Sequence, residues 1–241
     1  MTDIPIIFDT ETTGTDPEED QIIEAAWLEI PPTPAEFHLV PNAKAFPHYH
    51  ERFRPTIPIK FGAQATHHIL CEDLVACRDP KELKIPKSVT MLIGHKIDFD
   101  WSMMGAPNIQ RICTLALSQF LFPDKDSHTQ SAMLYLVGRR QGKEARIRDL
   151  LRGAHAALDD IRNCSILLRF LLIEAAERGY AVGTWKEVHT LSELARIPTV
   201  MRFGKHIGMP INQVPAGYVR WYRGTEDQDP YYIEAFKRAG F

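Results

Sequence analysis

The sequence predicts an α/β domain built on a mixed five-stranded sheet flanked by helices, followed by a small C-terminal module. Three observations predict it. Three strand-like segments follow one another early in the chain, and two later ones are separated by helical patterns. Beyond residue 180 the chain becomes short-patterned, aromatic, and punctuated by Pro and Gly. Successive strands followed by strands alternating with helices fit a sheet with both antiparallel and parallel neighbours.

Residues 4–9 read as a buried strand and residues 21–30 as a second, apolar and β-branched one, with the acidic residues 15–20 as the loop between them. Residues 31–47 form a Pro-rich excursion, and 50–54 give a third strand. Segments 60–69 and 71–77 read as short helices, 89–94 as the fourth strand, and 97–104 as a helix or turn. A fifth strand at 110–112 leads into a helix at 114–120, and 131–138 is a further helix. The longest helical pattern spans 155–178, where Leu158, Ile161, Ile166, Leu168, Phe170 and Leu172 give a broad apolar face and Gly179 supplies the stop. Gly179 and Gly183 mark a boundary, which divides the chain into residues 1–180 and a basic, aromatic module at 181–241.

Composition excludes several classes. With 44% apolar and 24% charged residues over 241 positions, the chain is an ordinary globular protein of one sizeable domain plus an appendage. Its apolar runs are broken by charge and are too short to span a bilayer. No basic region followed by an apolar stretch opens the chain, so no secretory signal is expected. Cys71, Cys77, Cys113 and Cys164 show no CxxC spacing and read as free thiols of a reducing cytoplasm. His48 and His50 read as solvated side chains of a loop.

Charge is unevenly placed. Residues 1–36 contain no Lys or Arg, and residues 194–225 contain no Asp or Glu. An acidic end beside a basic end suits an enzyme that holds metals at one place and a polyanion at another.

The chemistry is carried by acidic motifs. Asp9-Thr10-Glu11 follows an apolar strand, and residues i and i+2 of a strand share a face. Two carboxylates so placed repel and lose solvation, which a divalent cation offsets. Two further acidic elements answer them: Asp98 and Asp100 just past the fourth strand, and Asp159 and Asp160 near the start of the long helix. Strand ends and helix starts converge at one edge of such sheets. Five residues along a helix is about 500° of rotation, so His155 and Asp160 do not share a helical face. His155 is therefore expected at or before the first turn, with Asp160 on the second.

Taken together, Asp9-x-Glu11, His95-x-x-x-Phe99-Asp100 and His155-x-x-x-x-Asp160 resemble the three-motif signature of the DEDDh 3′→5′ exonucleases, the superfamily of proofreading exonucleases. Ala65-Thr66-His67-His68-Ile69 is similar to the family's segment bordering the terminal nucleotide. The stretches from Arg202 to Pro210 and from Gly217 to Trp221 resemble the tail of the bacterial exodeoxyribonuclease X family. The resemblance covers most of the chain except 31–47. It implies a ribonuclease H-like fold and a DNA-repair hydrolase that releases nucleoside 5′-monophosphates from DNA 3′ ends. It also implies two Mg²⁺ or Mn²⁺ ions. Asp9 would bridge both, Glu11 and Asp160 would complete the first site, and Asp100 would serve the second. His155 would take the proton from the attacking water. Thr10, Thr12, Thr13, Thr15, His67, Lys96 and Phe99 are the expected substrate contacts. The family commonly has Asn where this chain has Lys96, which substitutes a point charge at that place.

The expected partner is DNA, single-stranded or at the 3′ ends of a duplex, with no membrane partner and with the chain acting as monomer or homodimer. The segment Leu158-Asp159-Asp160-Ile161-Arg162 also resembles oligoribonuclease-type enzymes, so RNA is the alternative polymer. A non-catalytic nucleic-acid-binding module is the other reading, against which the intact acidic set weighs. In the tail, Phe203, Tyr218, Trp221 and Tyr222 interleave with Arg202, Lys205, Arg220 and Arg223. That mixture suits either a grip on a single strand or a small core with a basic rim.

Overall fold

The computed structural model of the chain describes residues 4–40, 42–152, 156–226 and 228–241. It falls into two compact units, Met1–Ser192 and Glu193–Phe241.

The first unit is a five-stranded mixed sheet flanked by helices, a ribonuclease H-like arrangement. Strand β1 (Ile4–Thr12) pairs antiparallel with β2 (Ile22–Glu29). Helix α1 (Pro34–Leu39) interrupts the Pro-rich excursion. Its start was written in the sequence: Thr33 accepts from the Glu36 N–H, with Pro34 in the first turn. Strand β3 (His48–Arg52) then pairs antiparallel with β2. This edge strand begins earlier than expected, so His48 and His50 lie on it and not in a loop. His50 is also not simply solvated, because its Nε2 lies 2.9 Å from Glu24.

After α2 (Phe61–His67), strand β4 (Val89–Gly94) pairs parallel with β1. It is followed by α3 (Asp98–Met103) and β5 (Gln110–Cys113), which pairs parallel with β4. The strand order is therefore β3-β2-β1-β4-β5, with β1 at the centre. Segment 71–77 forms only a single 3₁₀ turn at Cys71–Leu74.

Helices α4 (Thr114–Leu121), α5 (Gln130–Arg140), α6 (Glu144–Leu151) and α7 (Ala157–Glu177) complete the flanking layers. Helix α7 packs on β1 and β2 with Ile161, Leu168 and Leu172 buried. It ends at Gly179, which takes a positive φ of 82°. Helix α6 escaped the sequence reading because Ile147 is its one buried residue among charged neighbours. Helix α8 (Trp185–Arg196) carried a readable signal, since Trp185, Val188, Leu191 and Ala195 recur at helical spacing and are buried.

The second unit contains α9 (Ala216–Tyr222) and α10 (Pro230–Arg238). Their inner faces pack Val219, Tyr222, Tyr232 and Phe236 into a core of their own with Met201 and Ile211. Among the described residues, no helix is long and apolar enough to cross a membrane.

Candidate functional site

Strand β1 continues three residues past Asp9, so Asp9 and Glu11 lie on one regular strand and face the same side. Opposite Asp9 stands Ala26, which leaves room, and opposite Glu11 stands Glu24. Directly opposed residues of an antiparallel pair share a face, so three carboxyl groups crowd this side of the sheet. A bulge between Glu11 and Thr12 then shifts the register, and pairing resumes at Thr12 and Ile22 before the chain turns.

Asp100 arrives from α3, at the end of β4. The pairing of β1 with β4 stops at Ile7 and Ile93, which leaves the Thr10 N–H without a strand partner on that side. Asp100 takes its place: its Oδ1 accepts from the Thr10 N–H at 2.9 Å and from the Thr10 hydroxyl at 2.7 Å. Asp100 is thus buried and fixed against β1 beside Asp9. Its rival Asp98 points instead to Arg111, 2.5 Å away.

Asp160 arrives from α7. The helix begins at Ala157, so Asp160 sits in its first turn and not its second. Gln130 donates from Nε2 to the Asp160 carbonyl and carboxylate, each at 3.2 Å. Neighbouring Asp159 pairs with Arg162 at 3.2 Å. The expected general base, His155, lies outside the described residues.

Asp9, Glu11 and Asp160 each offer a carboxylate oxygen, and these oxygens all lie within 4.8 Å of one another, a group able to hold a metal ion. Electrostatics agree with that reading. Burial pushes the Asp9 carboxyl well above the usual carboxylate range, and Asp100, Asp160, Glu11 and Glu24 push it further. Glu11 is pushed up to about 8 by burial, then by Asp160, Glu24 and Asp100. Burial lifts Asp100 to about 7, although the two bonds from Thr10 pull it back. A cluster that resists its own ionisation is one a cation relieves, and an all-carboxylate donor set suits hard ions such as Mg²⁺ or Mn²⁺.

Glu24 behaves differently from its neighbours. It is fully buried, yet its carboxyl is held below the usual range. Burial opposes this, and bonds from Arg52, His50 and the Ala157 N–H outweigh it. Arg52 Nε lies 2.8 Å from Oε1, and the Ala157 N–H donates to Oε2 at 2.9 Å. Ala156 offers no side-chain cap to α7, so Glu24 caps that helix from across the sheet.

The remaining expected residues surround this cluster. Thr10, Thr12 and Thr13 are buried, whereas Thr15 is exposed. Thr12 donates to the Gly14 carbonyl at 2.5 Å, and Thr13 donates to Asp20 at 2.9 Å. Gly14 is needed there for space: a Cβ would lie 2.4 Å from the Asp20 carboxylate, which also pairs with Lys60 at 2.7 Å. His67 is buried at the end of α2, its Nδ1 accepts from the Ile69 N–H, and the Thr12 backbone lies beside its ring. Lys96 is exposed, with Nζ 5.8 Å from the half-buried Phe99 ring. His95 lies 3.0 Å from the Thr114 hydroxyl and is pushed down to about 4 by burial. Sequence reasoning missed Gln130 and Asp20, for which no spacing gave a signal.

No family model matches the chain, and neither does any curated protein. Solved structures do match. Exonuclease X in complex with 5′-overhanging duplex DNA aligns with a TM-score of 0.51 at 20% identity, covering 77% of this chain and 99% of that one. The E. coli ExoI–ssDNA complex in its zinc-bound form aligns with a TM-score of 0.54 at 15% identity, covering 83% of this chain and 46% of that one. The fold is that of these exonucleases. The chain spans about half the length of ExoI and nearly all of the exonuclease X chain. At these identities the likeness speaks for the fold, and the carboxylate cluster speaks for the chemistry.

Proposed function

We propose that the chain is a metal-dependent 3′→5′ exonuclease that releases nucleoside 5′-monophosphates from DNA, with residues 1–180 as its catalytic part. The observation that carries this reading is the group formed by Asp9 and Glu11 of the central strand with Asp160 of α7, and Asp100 of α3 fixed beside Asp9, in a fold like that of exonucleases. Asp9, Glu11 and Asp160 would hold one divalent ion, and Asp9 with Asp100 a second. When bound, such ions neutralise phosphate charge and stabilise the attacking and leaving oxygens.

The chain's own residues do the rest. Water attacks the terminal phosphorus, its proton passes to His155, and the bond to the 3′ oxygen of the next nucleotide breaks. Thr10 locks the Asp100 carboxylate so that it does not turn away. The turn at 12–15 and His67 border the terminal nucleotide, while Phe99 offers a face to its base and Lys96 a charge to a phosphate.

The test is digestion of a 5′-labelled strand by the wild type and by Asp9→Ala, with Mg²⁺ and with chelator. Stepwise shortening from the 3′ end, abolished by chelator and by Asp9→Ala, is expected. Shortening from the 5′ end, or full activity in Asp9→Ala, overturns the reading. Matched deoxy and ribo strands of one sequence then report the polymer preference, and DNA is expected to be cut faster.

A further inference from the structure

The aromatic residues of the C-terminal unit divide into two sets. Tyr222, Tyr232 and Phe236 are buried and build the core. Trp221, one residue from Tyr222, is 58% exposed. On α9, Tyr218 stands one turn before Tyr222 and is half-buried, its inner side against that core, while Trp221 stands one turn after Gly217 and turns outward. Together with Gly204 and Lys205 they line a concavity of about 450 Å³.

This concavity is built for a flat occupant. The Tyr218 and Trp221 rings lie 5.0 Å apart between centroids, tilted by 43°. His206 packs edge-on against Tyr218 at 4.7 Å and so braces that ring. Gly204 lies so near the Tyr218 hydroxyl that a Cβ would come within 2.7 Å, and its φ of 68° is one that only glycine adopts freely. Gly217 adds no side chain to the floor. The rim is cationic: Lys205 Nζ lies 5.8 Å from the Tyr218 ring, and Arg220 is exposed beside Gly217. Among the described residues neither cation is ion-paired, and no Asp or Glu occurs between Leu194 and Thr225.

We propose that this concavity is a base-stacking site for single-stranded DNA, with Tyr218 and Trp221 taking bases and Lys205 and Arg220 the adjoining phosphates. The inference rests on the exonuclease reading for the choice of polymer. Charge selects the occupant. Cations with no ion pair among the described residues, set around an exposed Trp221 and a half-buried Tyr218, complement a polyanion that has π-faces. Every base has such a face, so the site has no sequence preference. It lies on the second unit and gives the chain a contact with its substrate other than the carboxylate cluster.

The test uses the full chain in chelator, so that no strand is cut. Anisotropy titrations with a 5′-fluorescein dT30 strand are run at several salt concentrations for wild type, Trp221→Ala, Trp221→Phe and Lys205→Gln. Trp221→Ala is expected to weaken binding on the order of tenfold and Trp221→Phe to restore most of it. Lys205→Gln is expected to reduce the slope of log affinity against log salt by about 0.7. Circular dichroism confirms that each variant is folded. Binding by Trp221→Ala within twofold of wild type, with the fold retained, overturns the site. So does sedimentation in which Trp221→Ala only breaks a dimer and leaves dT30 affinity unchanged. Hydrolysis of thymidine 5′-(p-nitrophenyl phosphate), a single nucleotide that reports on the reacting centre, separates the two readings. Its failure in the wild type with Mg²⁺ counts against the exonuclease and leaves the dT30 result to judge the stacking site.

Discussion

Lys96 carries a positive φ of 68°, a conformation that costs most L-residues about 1–2 kcal/mol and that Asn visits more readily. Because Lys96 is exposed, Lys96→Asn is expected to stabilise the fold by about 0.5 kcal/mol, read as a higher midpoint in thermal denaturation. Asn at this place would thus have a backbone reason, beyond any contact it makes. Glu24 is the opposite case. Its depressed carboxyl contributes stability that is complete above the ordinary Glu value of about 4.3 and is lost as pH falls through the folded value. Glu24→Gln should therefore cost about 2 kcal/mol at neutral pH, through the orphaned Arg52 and the weakened cap on α7. Urea titrations at several pH values should show the two proteins converging in acid. The four carboxylates were legible because Asp9 and Glu11 stand two apart on a strand, while Asp100 and Asp160 lie in the first turns of helices, where spacing fixes direction. The bond from the Ala157 N–H to Glu24 gave no signal in the sequence, since the two residues lie far apart along the chain.

At the scale of elements, the site depends on how closely β4 approaches β1. A Cβ on Gly94 would lie 2.8 Å from the Phe8 carbonyl and 2.8 Å from Ile97 Cδ1. The first of these is backbone of the strand that carries Asp9 and has nowhere to move. Gly94→Ala is expected to push α3 outward, lengthen the bonds from Asp100 to Thr10, and destabilise by about 1–3 kcal/mol. Exonuclease assays should show kcat falling with little change in affinity for the strand, because the variant disturbs the reacting centre alone. The sheet was readable from alternating apolar runs, and so was α7, whose apolar face is broad. Helix α6 was not, as it buries little. Helix α8 shows the other way to miss an element, since its periodicity was present and the glycines before it drew attention to a boundary instead.

For the whole molecule, two compact units with separate cores set the expectation for unfolding. The C-terminal unit spans fewer than fifty residues by its bounds, a size at which a single core is marginal. Calorimetry is expected to resolve two transitions, the smaller unit melting first. Mg²⁺ at a hundred times its dissociation constant should raise only the transition of the larger unit, by about 2.7 kcal/mol. One transition that shifts as a whole would show that the units unfold together. The uneven charge seen in the sequence maps onto this division: the acid-rich, cation-free start forms the carboxylate face, and the stretch without acid lies in the second unit.

Strand β1 lies inside the sheet, paired antiparallel with β2 as far as Thr12 and parallel with β4 as far as Ile7, beyond which Asp100 takes the Thr10 N–H, whereas β3 and β5 stand at the ends of the strand order. Amides on such a strand exchange their hydrogens only when the sheet itself opens. The two carboxylates it carries are therefore tied to the slowest event in the protein. Asp9 and Glu11 do not drift apart while the sheet persists, and partial fraying at either edge leaves their spacing intact. Loss of the cluster and loss of the fold should then coincide, so that the deuterium uptake of residues 6–11 reports on both.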